Sequence, residues 1–150
     1  MIASDGERAA VKLAIDLGRT WTWSLPPDAT CPRIARTLVR EALAVLEVPG
    51  ETIADAALMV SELATNAFQH AAAYPPHELW IYCFDDYEFS CAVFDGLPTR
   101  NLPLALERAD FGRGLSIVAE LSRDRWGTDA AHARLDPRVR GKAVWFTCDR

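Results

Sequence analysis

Residues 58–71 read L-M-V-S-E-L-A-T-N-A-F-Q-H-A. With the residues just before them they place Ile53, Ala56, Val60, Leu63, Ala67 and Ala71 at helical spacing. Apolar side chains recurring every three or four residues cover one side of a helix and bury it against a core. The pattern predicts a helix over residues 51–72. Off that stripe, Glu62, Asn66 and His70 stand four residues apart, so they line up one above another as a polar face.

The neighbouring segments frame this helix. Upstream, residues 20–25 alternate Trp21 and Trp23 with smaller side chains and predict a short strand, closed by Pro26-Pro27. Thr30 can cap a second helix with Pro32 in its first turn, running to about residue 47 and stopping before Pro49-Gly50. Downstream, Tyr74-Pro75-Pro76 ends the central helix. Residues 78–84 and 87–95 are two β-rich runs meeting at Asp85-Asp86, the pattern of an antiparallel hairpin. Phe89, Cys91, Val93 and Asp95 share one face of the second strand, because side chains alternate. Residues 97–110 hold two prolines and read as a loop, and residues 114–121 as a third helix. A short strand over 123–127, a polar arginine-bearing loop over 128–141 and a last strand over 143–148 complete the order. This order predicts an α+β fold, a two-layer sandwich whose mixed, mostly antiparallel sheet carries its helices on one face. Residues 20–150 form the domain and residues 1–19 an N-terminal extension.

At 150 residues the chain is one domain long and can bury roughly two thirds of its unfolded surface. No apolar run approaches the roughly 18 residues of a membrane span, and residues 1–19 carry acids without an apolar signal core. Cys31, Cys83, Cys91 and Cys148 form no C-x-x-C pair and read as buried thiols, so a cytoplasmic location is expected. The net charge of −5 is uneven: residues 1–99 hold 6 basic and 14 acidic groups, residues 100–150 hold 10 and 7. Scattered basic residues in an acidic chain do not make a nucleic-acid stripe, but a basic half can help to hold an anion.

Asp95 ends its strand at the rim of the apolar layer, where a carboxylate can accept a hydrogen bond from an exocyclic amine such as that of adenine. Gly96 lets the backbone turn closely beneath a flat ligand. Gly112-Arg113-Gly114 opens a helix, and helix N-termini present free N–H groups and partial positive charge to phosphate. Arg113 can reach the phosphate or point to water. Asn66 offers an amide oxygen, a hard ligand suited to magnesium beside phosphate oxygens and water. Glu62, one turn earlier, can take the proton of an attacking hydroxyl. His70 continues the stripe as a structural helix-end histidine.

Taken in order, V-S-E-L-A-T-N-A-F-Q-H-A, V-F-D-G-L-P and F-G-R-G-L-S-I-V resemble the nucleotide-binding boxes of the superfamily of gyrase, heat-shock chaperones, histidine kinases and mismatch-repair ATPases. Within it the chain is most similar to the anti-sigma factor serine/threonine kinases, over about residues 25–148. The resemblance implies a Bergerat-type sandwich binding ATP and magnesium. Asn66 would hold the metal, Glu62 would act as base or water-positioning residue, and Asp95 and Gly96 would meet adenine. Gly112, Arg113, Gly114 and Leu115 would lie beside the phosphates, and residues 97–110 would form a short lid. It also implies phosphorylation of a serine on an anti-anti-sigma (STAS-type) partner, alternating with sequestration of a sigma factor.

Two departures stand out. The second box has one glycine, in Asp95-Gly96-Leu97-Pro98-Thr99, where the superfamily has D-x-G-x-G. Ala143 aligns with a threonine of the last strand. A lost hydroxyl removes about 0.5–1.5 kcal/mol, which lowers nucleotide affinity about tenfold. A protein-interaction module with weak or no nucleotide binding is therefore the alternative. A histidine-kinase fragment would need a phosphoacceptor helix pair ahead of the first helix. Trp21, Trp23, Trp80, Tyr82 and Trp145 could give the sheet an aromatic outer face, as in a homodimer, unless residues 1–19 cover it.

Overall fold

The computed structural model describes residues 20–83, 85–98 and 112–150, with backbone alone over 112–114. The expected extension, residues 1–19, and the lid residues 99–110 lie outside the described residues. Among the described residues, the order is β1 (Thr20–Leu25), α1 (Cys31–Val45), α2 (Gly50–Ala71), β2 (His77–Tyr82), β3 (Glu88–Asp95), α3 (Gly112–Leu121), β4 (Trp126–His132) and β5 (Arg140–Asp149). The strands form one sheet in the order β1-β2-β3-β5-β4, with every pairing antiparallel. The fold is α+β in two layers, with α1 and α2 packed together on one face of the sheet and α3 against α2.

α1 buries Cys31, Ala35, Leu38, Val39, Ala42 and Leu43, a stripe of helical spacing. Thr30 does not cap it through its hydroxyl. That hydroxyl and the Thr30 N–H both bond the Asp28 carboxylate, a charged acceptor two residues upstream. The helix ends in a Schellman motif: Glu47 N–H bonds the Ala44 carbonyl, and Val48 N–H the Leu43 carbonyl, each at 3.0 Å. Glu47 sits at φ 59°, a left-handed conformation usually given to glycine.

Phe89, Cys91 and Val93 face the helices as expected, packed with α2's Met59, Val60 and Leu63. The tryptophans divide differently from the expectation. Trp23 pairs with Leu79 and Trp21 with Ile81, so both point toward the helices; Trp23 is buried there. Residues directly opposite across a ladder share a face, and the position of Leu79 and Ile81 in the core decides which one. The outer face carries Trp80, Ala92, Phe94 and Ala143 as a second apolar cluster, with Tyr82 and Trp145 beside it.

The loop expected over 128–141 is shorter. Residues 128–132 continue β4 and pair with residues 140–144. Ladder bonds belong to the backbone, so a strand of small and polar side chains at a sheet edge leaves little periodic signal. The remaining connection, residues 133–139, folds over the outer face. Its anchor is Glu78, fully buried, whose carboxylate accepts N–H bonds from Arg134 (2.8 Å), Leu135 (3.0 Å) and the Trp80 indole (2.9 Å). The Arg134 guanidinium lies 4.4 Å from the Trp80 and Tyr82 ring centroids. Beyond this cap an open groove of about 350 Å³ runs between Trp80, Tyr82 and Trp145. Gly127 lies under the Trp145 indole, and a Cβ there would come within 2.9 Å of the ring.

All four cysteines are free and buried. Burial pushes the Cys31 and Cys148 thiols from the ordinary 9.0 up to about 11. An acid whose folded pKa is raised loses stability as pH climbs above its unfolded pKa. The urea midpoint will therefore hold steady from pH 7 to 8.5 and fall as pH rises from about 9 through 11. In the same assay at pH 7, Glu47→Gly will stabilise the fold by about 1 kcal/mol, relieving the left-handed strain. Glu78→Ala will destabilise it by about 3 kcal/mol, since three N–H groups lose a charged acceptor at roughly 1 kcal/mol each.

Candidate functional site

The polar stripe of α2 is split by packing. Asn66 is only 7% exposed, Glu62 is half-buried and His70 is exposed. Because α2 packs against α1, β3 and α3, more of its circumference is covered than a one-sided amphipathic pattern implies. Asn66 therefore lies inside, off the apolar stripe yet buried. Among the described residues its amide nitrogen finds no hydrogen-bond partner. An unpartnered buried amide costs about 1–3 kcal/mol unless something bonds it. A half-turn of the carboxamide exchanges its nitrogen and oxygen, so the same place can present an oxygen ligand. Next to Glu62, the Ser61 hydroxyl accepts a 2.7 Å hydrogen bond from the Arg36 guanidinium of α1, which ties the two helices together.

The chain leaving α2 leads to the end of β3. Tyr74 N–H bonds the Ala71 carbonyl at 2.9 Å, and the His77 imidazole, Nε2 donating, bonds the same carbonyl at 2.8 Å. The Tyr74 carbonyl then accepts the Gly96 N–H at 2.9 Å. Asn66 lies five residues before the end of α2, about 7.5 Å along its axis. The Tyr74–Gly96 bond thus brings the Asn66 end of α2 and the Asp95-Gly96 turn to one end of the molecule. A Cβ on Gly96 would sit 2.9 Å from the carbonyl oxygens of Tyr74 and Pro75. The glycine expected to admit a flat ligand is required by this close approach of its own chain.

Asp95 is 1% exposed, on the helix-facing side by the alternation of β3. Its Oδ1 accepts the Leu97 N–H at 3.0 Å, and its Oδ2 accepts the Lys142 ammonium at 2.6 Å. The two charged side chains are 1% and 3% exposed. They are directly opposite in the β3–β5 ladder. Gly141 permits the approach, since a Cβ there would overlap the Asp95 carbonyl oxygen.

Lys142 was not among the residues the sequence singled out. Ala143, aligned there with a threonine near the adenine edge, points the other way: it is opposite Phe94 in the outer cluster. The residue facing Asp95 is the one immediately after Gly141. Extending the alternation of the last strand back by one residue is the signal that finds it.

α3 starts at Gly112, two residues earlier than expected, so Gly112, Arg113 and Gly114 form its first turn. Leu115 is 2% exposed within the helix-side core, which leaves its backbone as the part able to face a ligand. Among the described residues no three His, Cys, Asp or Glu side chains gather as a metal site. A magnesium ion here would rest on the Asn66 carboxamide together with phosphate oxygens and water, and the unpartnered amide fits that use. No helix among the described residues is long and apolar enough to cross a membrane.

No family model matches the chain, and no curated protein matches it in sequence. Its fold is similar to that of a chain in the crystal structure of the SiaB–SiaC complex from Pseudomonas aeruginosa. The TM-score is 0.58 at 12% identity, over 97% of this chain and 100% of that one.

Proposed function

We propose that this chain is a Mg-ATP-dependent serine/threonine protein kinase of the anti-sigma type, which docks a STAS-type anti-anti-sigma protein and a sigma factor. The observation that carries the reading is Asn66, a buried carboxamide whose nitrogen finds no partner among the described residues, on the helix whose exit is bonded to the Asp95-Gly96 turn. Magnesium held there would neutralise charge on the transferring phosphate. Glu62, half-buried one turn before Asn66, accepts the proton of the partner's serine hydroxyl as that oxygen takes the γ-phosphoryl group and ADP leaves. The first turn of α3, at Gly112-Arg113-Gly114, offers backbone N–H groups to the phosphates.

The similar fold of a chain from a two-protein complex supports the docking half of the reading. The outer groove between Tyr82, Trp80 and Trp145 offers an aromatic surface for a partner or a second copy. One observation favours the alternative, an interaction module that uses nucleotide weakly or not at all: the Asp95 carboxylate already has a cation from its own chain.

Calorimetric titration with ATP, with and without magnesium, separates the two readings. Kinase function predicts magnesium-dependent binding in the wild type, weakened at least tenfold in Asn66→Ala. It also predicts that Glu62→Ala binds Mg-ATP as the wild type does. Absence of binding at millimolar Mg-ATP would leave the interaction module.

A further inference from the structure

We propose that Lys142 is a built-in competitor for the base-recognising carboxylate: its ammonium holds the Asp95 oxygen that a nucleobase amine would use, and so keeps nucleotide affinity low. This rests on the nucleotide-binding reading above and adds the residue that sets its strength.

Both oxygens of Asp95 are engaged by the chain itself, Oδ1 by the Leu97 N–H and Oδ2 by Lys142 Nζ. The second contact is between full charges, and at 2.6 Å it is short. A charge-assisted hydrogen bond is roughly twice as strong as a neutral one. The exocyclic amine of adenine is a neutral donor, so it must either displace the ammonium or share an oxygen whose charge is already balanced.

The backbone gives the lysine little room to withdraw. Lys142 lies within the β5 ladder opposite Asp95. Gly141 presses β5 against the Asp95 carbonyl, and Gly96 is bonded to Tyr74 on the other side. Only rotation of the lysine side chain can free Oδ2, and that rotation separates a buried ion pair. Breaking such a pair by removing one partner leaves an uncompensated charge at high cost. A ligand donor that then reaches Asp95 recovers part of that cost. Removing the ammonium should therefore tighten binding of a ligand with an amine, although it weakens the fold.

The test is calorimetry with Mg-ATP on the wild type, Lys142→Met and Lys142→Gln. The glutamine variant removes the charge and carries a neutral donor on a side chain one atom shorter, and it has the same expectation should the methionine variant fail to fold. Affinity is expected to rise at least tenfold in either variant. The gain should vanish in the Asp95→Asn/Lys142→Met double variant, and with the triphosphate of purine riboside, which lacks the 6-amine. Unchanged or weaker binding in the variants, with wild-type binding still lost in Asn66→Ala, overturns the competitor and leaves the nucleotide site standing. No Mg-ATP binding in the wild type or either variant overturns both.

Discussion

The end of β3 is where the helical layer, the central hairpin and the last strand are locked to one another. Gly96 N–H bonds the Tyr74 carbonyl, so the exit of α2 is tied to the Asp95-Gly96 turn. On the other side Gly141 lies so close that a side chain would overlap the Asp95 carbonyl. Two glycines therefore let three segments meet without room for a Cβ. That meeting places the carboxylate of Asp95, the ammonium of Lys142 and the Asn66 end of α2 at one end of the molecule.

The two faces of the sheet solve different problems. The helix-facing side is an apolar core in which β1, β2 and β3 present alternate residues to α1 and α2. Among the described residues the outer side has no helix, yet it carries Trp80 and Phe94 stacked at 5.5 Å. The connection over 133–139 covers part of this surface, held by two backbone N–H bonds, from Arg134 and Leu135, to the buried Glu78 carboxylate. Hydrogen bonds to a charged group are among the stronger ones, so a short irregular segment can be kept in place without secondary structure of its own. Among the described residues the groove by Tyr82 and Trp145 stays open.

The candidate site combines an unfinished group with a finished one. Asn66 has a buried amide nitrogen without a partner among the described residues, and an unmet group of that kind would gain from a ligand. Asp95 is satisfied by its own chain through Leu97 and Lys142. On the proposed nucleotide reading, such a site would favour binding at the Asn66 end and resist it at the Asp95 end.

The period of the apolar residues was enough to identify α2, while the prolines around α1 and the β-rich runs of the β2–β3 hairpin and β5 marked those elements. The E-x-x-x-N spacing was enough to single out Glu62 and Asn66, since a helix fixes which residues stack. Three matters depended on the tertiary structure. Which side of the sheet Trp21 and Trp23 face follows from register with Leu79 and Ile81, and register is a relation between strands. β4 extends over residues 128–132 because its backbone finds β5, whatever its side chains are. Lys142 meets Asp95 only because two strands separated by α3 and β4 in the chain become neighbours in the sheet. Local periodicity records how a segment meets the core; it holds no record of which distant segment lies beside it, and the charge balance of this site is set there.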